Sequence, residues 1–217
     1  MAIIKTNARS ASALDATILT GNLPAISGAS LTGVSSEEIL VASGNATSGS
    51  SAELIVDNCF TSTYTAYRII IWDLMTDGGT GGTHTALKFR TGGSSGTNYN
   101  GSEYHARCFR GYSGHTNYET DNTTGGSELK IAYTAIQYGE SDSNNAAAFE
   151  MKLFNTNGFQ SKFFWHWSSQ HSGADNNYIF SNGGGGVSQT TAITGFNFFN
   201  NDSRAFTEYR YRVLGLA

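Results

Sequence analysis

From Glu38 onward the chain is a succession of short aromatic and β-branched runs, each cut off by Gly, Asn, Ser or Thr. That rhythm constrains the fold more than any motif in the sequence, because runs of this length and composition, bounded by turn residues, read as strands and loops. Only one proline is present, Pro24, while glycine reaches 26 of 217 residues, so Gly, Asn, Ser and Thr make the turns. The runs predict about ten strands, and no long helical pattern separates them, which disfavours a parallel α/β fold. The expected fold class is all-β, an antiparallel β-sandwich of jelly-roll type. The aromatic share of 12% supplies most of its core.

Individual runs sharpen the expectation. Phe149, Met151 and Leu153 alternate with Glu150 and Lys152, which predicts a half-buried strand. Phe163, Trp165 and Trp167 share one face of the next run, and Asn155–Gly158 between the two predicts a hairpin turn. Tyr67–Met75 is apolar on both faces, which fits a central strand or one covered by a neighbouring subunit. Tyr104–Tyr112 and Phe206–Leu214 also read as strands. Gly44–Ser51 and Ser113–Ser127 read as polar loops, and the four glycines Gly183–Gly186 as the end of a short strand, Tyr178–Ser181.

Residues 1–38 differ from the rest: they hold no aromatic residue, and their apolar residues are sparse and irregular. Ordering a chain costs roughly 1–2 kcal/mol per residue, and this segment cannot enclose a core to offset it. The expectation is an extended N-terminal docking arm, residues 1–38, followed by one β-sandwich domain, residues 39–217. The arm would bury Leu23, Pro24, Ile26, Leu31 and Val34 against a partner.

Charge excludes some function classes. The net charge is −4 and the 13 Lys and Arg are scattered along the sequence, unlike the clustered cations of a duplex-binding protein. No nucleic-acid partner is expected. No run approaches 18 apolar residues and the N-terminus lacks the apolar stretch of a signal peptide, so the expectation is a protein made in a cytoplasm, with no membrane insertion. Cys59 and Cys108 each precede a phenylalanine and read as buried thiols.

No reaction is announced by a motif. The histidines His84, His105, His115, His166 and His171 lack metal-ligand spacing, and Asp73 to Asp77 lacks the spacing of a calcium loop, so Asp73 reads as a strand-end residue at a turn. Glycan cleavage needs two facing carboxylates. The candidates Asp73, Glu103, Glu119, Asp121, Glu128, Glu140, Asp142 and Glu150 show no pattern that singles out a pair. No Gly-x-Ser-x-Gly elbow is present, and no Lys-Ser/Thr follows the glycine run. The expectation is no enzymatic activity, no metal and no cofactor. For ligand binding, Tyr99, Tyr112 and Tyr118 in polar loops are the candidate stacking residues for a glycan.

The stretch Gly21-Asn22-Leu23-Pro24-Ala25-Ile26-Ser27-Gly28-Ala29-Ser30-Leu31-Thr32-Gly33-Val34 resembles a segment of phage tail-fibre and related virion proteins, where it links modules or precedes a distal domain. The resemblance covers about fourteen residues. It implies a structural component of a tailed-phage virion, homo-oligomeric with a trimer favoured, bound to other virion proteins through the arm. The expected place is a fibre or appendage whose sandwich projects outward and contacts a host-surface glycan. A capsid decoration protein, a carbohydrate-binding module and a glycan hydrolase are the alternatives.

Overall fold

The computed structural model describes residues 38–49, 51–76, 85–112, 119–132, 146–157, 160–170, 178–189, 191–201 and 203–216. The chain divides into two units, Met1–Ser35 and Ser36–Ala217, and all described residues belong to the second. The expected arm, with Leu23, Pro24, Ile26, Leu31 and Val34, lies outside the described residues.

Thirteen strands form among them: β1 (Glu38–Ala46), β2 (Glu53–Val56), β3 (Ala66–Thr76), β4 (Thr85–Thr91), β5 (Thr97–Asn98), β6 (Tyr104–Tyr112), β7 (Glu119–Gly126), β8 (Leu129–Ala132), β9 (Ala147–Phe154), β10 (Gln160–Gln170), β11 (Tyr178–Ser188), β12 (Gly195–Asn200) and β13 (Phe206–Leu216). They build two antiparallel sheets. The larger runs β1-β13-β3-β9-β10-β11-β6-β7; the smaller runs β2-β12-β4-β5, with β8 on the same edge of β4 as β5.

The order has a simple skeleton. Setting aside β5–β7 and β10–β11 leaves eight strands, in which the first, eighth, third and sixth form one sheet and the second, seventh, fourth and fifth the other. That is the jelly-roll arrangement of two Greek keys. Of the five strands set aside, β10, β11, β6 and β7 carry the larger sheet beyond β9, and β5 pairs with β4.

The core lies between the sheets and is largely aromatic. Phe198 of β12 meets Phe149 of β9 at 5.1 Å and Trp167 of β10 at 6.2 Å, and Phe89 of β4 meets Phe163 of β10 at 5.8 Å. Phe149, Met151, Leu153, Phe163, Trp165 and Trp167 are all buried, as their alternation predicts. Two tyrosines tie polar groups into this core. The Phe89 N–H donates to the Tyr104 hydroxyl at 2.9 Å, which donates to the Tyr99 carbonyl at 3.2 Å. The Tyr67 hydroxyl accepts from the Thr61 N–H at 2.7 Å and donates to the Thr61 carbonyl at 2.8 Å. Cys59 and Cys108 are both free and buried.

A buried ion pair holds the end of β4. Arg90 is 8% exposed, and its guanidinium meets Asp57 twice, at 2.6 and 3.0 Å, while also reaching Asn98 at 2.9 Å and the Gly96 carbonyl. The fork geometry satisfies several donors at once, which a charge removed from water requires.

Several expectations need correction. The Ser113–Ser127 stretch is not all loop: Glu119–Gly126 forms β7, an edge strand held by backbone pairing to β6 rather than by side-chain burial. β1 extends through Gly44 and Asn45 to Ala46 by pairing with β13. Asp73 is not at a turn. It sits inside β3 at a bulge with φ 52°, which shifts the buried phase from Tyr67, Ile69 and Ile71 to Leu74. The outer face of β3 is half-buried by the chain itself: the Arg212 guanidinium lies 5.6 Å from the centre of the Trp72 ring.

The glycines Gly183–Gly186 do not end a strand; β11 runs through all four to Ser188. A Cβ on Gly183 would lie 2.1 Å from the Trp165 indole, and one on Gly185 would lie 2.0 Å from the His105 carbonyl. Glycine is needed there because a ring and a neighbouring backbone occupy the space a side chain would take. Among the described residues no helix is long and apolar enough to cross a membrane.

Candidate functional site

Because side chains alternate along a strand, the buried set of each strand defines the opposite face as well. On β9, Phe154 is in phase with Glu150 and Lys152; on β10, Phe164 is in phase with Lys162 and His166; on β6, Phe109 is in phase with His105 and Arg107. Each is out of phase with its strand's core residues, and each is exposed: Phe164 at 62%, Phe109 at 59% and Phe154 at 36%.

Sheet register brings these residues together. Across one row lie Lys152, Phe164, Gly184 and Arg107; across the next outward-facing row lie Phe154, Lys162, Gly186 and His105. β11 contributes only glycine to both rows, so it forms the floor of a trough. β10 and β6 form the sides, about 9–10 Å apart at the usual strand spacing. Over Gly186, between Lys162 and His105, the trough deepens into a cleft of about 310 Å³ that Gln160 and Ser188 also line. A second hollow of about 190 Å³ lies beside Phe164, against Lys152, Glu150 and His166. The Phe154 and Phe164 rings meet edge to face at 6.3 Å.

The electrostatics of the face are uneven. Glu150 is engaged by Arg68, whose Nε lies 2.9 Å and Nη2 3.1 Å from the carboxylate oxygens, and Arg68 also bonds Glu38 at 3.1 Å. These bonds, with Glu150 first, raise the Arg68 guanidinium above its usual value. Lys152, Lys162, Arg107 and His105 stand around the trough; Glu150 shares the outer face, and Glu103, bonded to the Tyr99 hydroxyl, adjoins Ser188 at the end of the cleft. His166 Nδ1 donates to Asn182 Oδ1 in the adjoining outward row.

The residues singled out from sequence fare differently. Tyr99 is half-buried rather than a free loop ring: it tilts against Tyr104 at 6.1 Å, and its hydroxyl bonds Glu103 and the Ser188 carbonyl. Burial first, then the Glu103 bond, push its hydroxyl up to about 12. Tyr112 is the last residue of β6, and Tyr118 lies outside the described residues. Of the candidate carboxylates, Asp73 pairs with Arg210 at 3.2 Å, Glu150 with Arg68, and Glu103 with Tyr99. Glu119 and Asp121 lie on β7, Glu128 follows it, and Glu140, Asp142 and Asp77 are outside the described residues. So are His84, His115 and His171; among the described residues no three metal-ligating side chains cluster.

Sequence reasoning missed Phe154, Phe164 and Phe109, although a signal existed in their phase. It also saw the cations as scattered, since Arg107, Lys152 and Lys162 come from three strands that meet only through sheet register. Comparison of the chain with family models, with curated proteins and with solved structures found no match.

Proposed function

We propose that this chain is a non-enzymatic structural component of a tailed-phage virion: a fibre or appendage subunit, homotrimeric, that residues 1–38 anchor and whose sandwich projects outward. The observation that carries the reading is the joining of the Gly21–Val34 segment, with its likeness to virion proteins, to a domain with jelly-roll strand order. Viral shell proteins and lectins both use that order, and its two tightly packed sheets make a rigid projecting body. Fold alone does not assign function, so the segment carries the greater weight. The non-enzymatic reading draws support from the carboxylates: Asp57, Asp73 and Glu150 are each tied to an arginine.

Deleting residues 1–34 tests the anchor. The expected result is a domain that still unfolds cooperatively but is missing from purified particles, while the full chain is present. Incorporation of the truncated chain at the level of the full one would overturn the reading. Light scattering of the full chain at micromolar concentration should give a trimer, and a monomer would contradict the oligomer.

A further inference from the structure

The glycine-floored trough is an unusual outer face for a sheet. Exposed faces normally carry polar side chains on every strand, whereas here β11 carries none at Gly184, against which the Phe164 ring lies, or at Gly186, left as bare backbone among the cations. A flat ligand can approach that backbone closely. The cleft of about 310 Å³ over Gly186 is at the lower end of the roughly 300–1,000 Å³ of small-molecule sites, a size for one or two rings.

We infer that this trough binds an anionic saccharide, a sugar ring that carries a carboxylate. Phe164 supplies an apolar face for the ring's C–H side. Lys162 and His105 stand on opposite sides of the cleft, where either can meet the carboxylate, and Arg107 offers a planar fork for a second one. Asn182, oriented by His166, donates to ring hydroxyls at the far end of the floor. The nearest carboxylates are engaged: Glu150 by Arg68, which it shares with Glu38, and Glu103 by the Tyr99 hydroxyl.

Two other occupants fit less well. A nucleic-acid strand needs a cationic groove that tracks several phosphates, with successive bases stacked on aromatics. Here the cations surround a floor only two glycines long. A second copy of this chain packed face to face by two-fold symmetry would set Lys152, Lys162 and Arg107 against one another.

The inference extends the projecting role proposed above, and its test reads the purified full chain, so it fails or succeeds apart from particle assembly. The probe is an array of oligouronates, sialylated glycans and their neutral counterparts. Binding is expected to carboxylate-bearing members and not to the neutral ones. Phe164→Ala, Lys162→Glu and Arg107→Glu should each weaken it about tenfold or more, equivalent to about 1.4 kcal/mol. Lys88→Glu, on the outer face of the smaller sheet, should leave binding unchanged, and matched melting temperatures show that the variants fold. No bound glycan, equal binding to neutral members, tighter binding to a single-stranded oligonucleotide, or an equal loss in Lys88→Glu would overturn the proposal. Glycan binding retained in a chain that never enters particles would remove the virion reading and leave the trough's ligand standing.

Discussion

The eight-strand framework and the strands that extend its larger sheet bury their inner faces by opposite means. In the framework, bulk meets bulk: Phe89, Phe149, Phe196, Phe198 and Phe206 fill the space from both sheets. In the extension, most of the bulk sits on one strand, with Tyr104 at the start of β6 the exception. β10 presents Phe163, Trp165 and Trp167 inward, and its neighbours answer with Gly183, Gly185, Ala106 and Cys108. The glycines that seat the Trp165 indole on the inside alternate with Gly184 and Gly186 on the outside. One run of four glycines therefore serves a core and a surface trough at once.

The comparison breaks most visibly at the framework. Phe198→Ala should cost about 3–5 kcal/mol in chemical denaturation, since it removes a ring packed between the sheets. Asp57→Ala should cost a similar ~3–5 kcal/mol by leaving the buried Arg90 without its partner. If either change is tolerated with less than about 1 kcal/mol, the framework is not the stabilising half.

The two glycine sets provide a sharper contrast. Gly183→Ala should destabilise by about 1–3 kcal/mol because its Cβ would strike the Trp165 ring at 2.1 Å. Gly184→Ala should cost clearly less, because its nearest neighbour is the exposed and movable Phe164 ring, at 2.8 Å. Equal losses in thermal unfolding would contradict the assignment of one face to packing and the other to binding. The smallest effect belongs to Phe164→Ser and Phe109→Ser, which should each change stability by no more than about 0.5 kcal/mol, since those rings face solvent.

Alkaline pH probes buried acidic groups in both regions. Burial pushes the Cys59 thiol and the Tyr104 hydroxyl above their ordinary values of 9.0 and 10.0, and burial with the Glu103 bond pushes Tyr99 up to about 12. These raised values mean that the unfolded chain releases its protons first. Their stabilising contribution is full below about pH 9 and falls as pH climbs through the folded values. Melting temperature should decline from about pH 9 upward, and a flat profile to pH 11 would count against these buried groups. Tyr104→Phe should remove part of that slope, at a cost of about 1–3 kcal/mol for the orphaned Phe89 N–H.

Much of this was legible in the residues. The alternation of Phe149, Met151 and Leu153 with Glu150 and Lys152 stated both faces of β9, and Asn155, with φ 59°, starts the turn into β10 as its type suggests. What stayed hidden was long-range. Nothing local announces that β1 pairs with β13, or that β6 lies beside β11, and the jelly-roll order rests on such pairings. β7, with the sequence Glu-Thr-Asp-Asn-Thr-Thr-Gly-Gly, has threonine as its sole strand-forming type beside Asp, Asn and Gly, and has no apolar face; it pairs along the edge that β6 offers. The glycine run reads as a breaker until Trp165 is placed against it. The trough follows the same rule: the phase of Phe164 could be read from β10 alone, but its neighbours Arg107 and Gly184 could not.

The most direct measurement is a cryo-EM map of particles purified from cells that express this chain. The account predicts density for the two-sheet domain projecting from a fibre or appendage, with the outer face of β9, β10, β11 and β6 turned toward solvent. Absence of the chain from purified particles would contradict the virion role, and density with that face buried against another virion protein would contradict the trough as a ligand site.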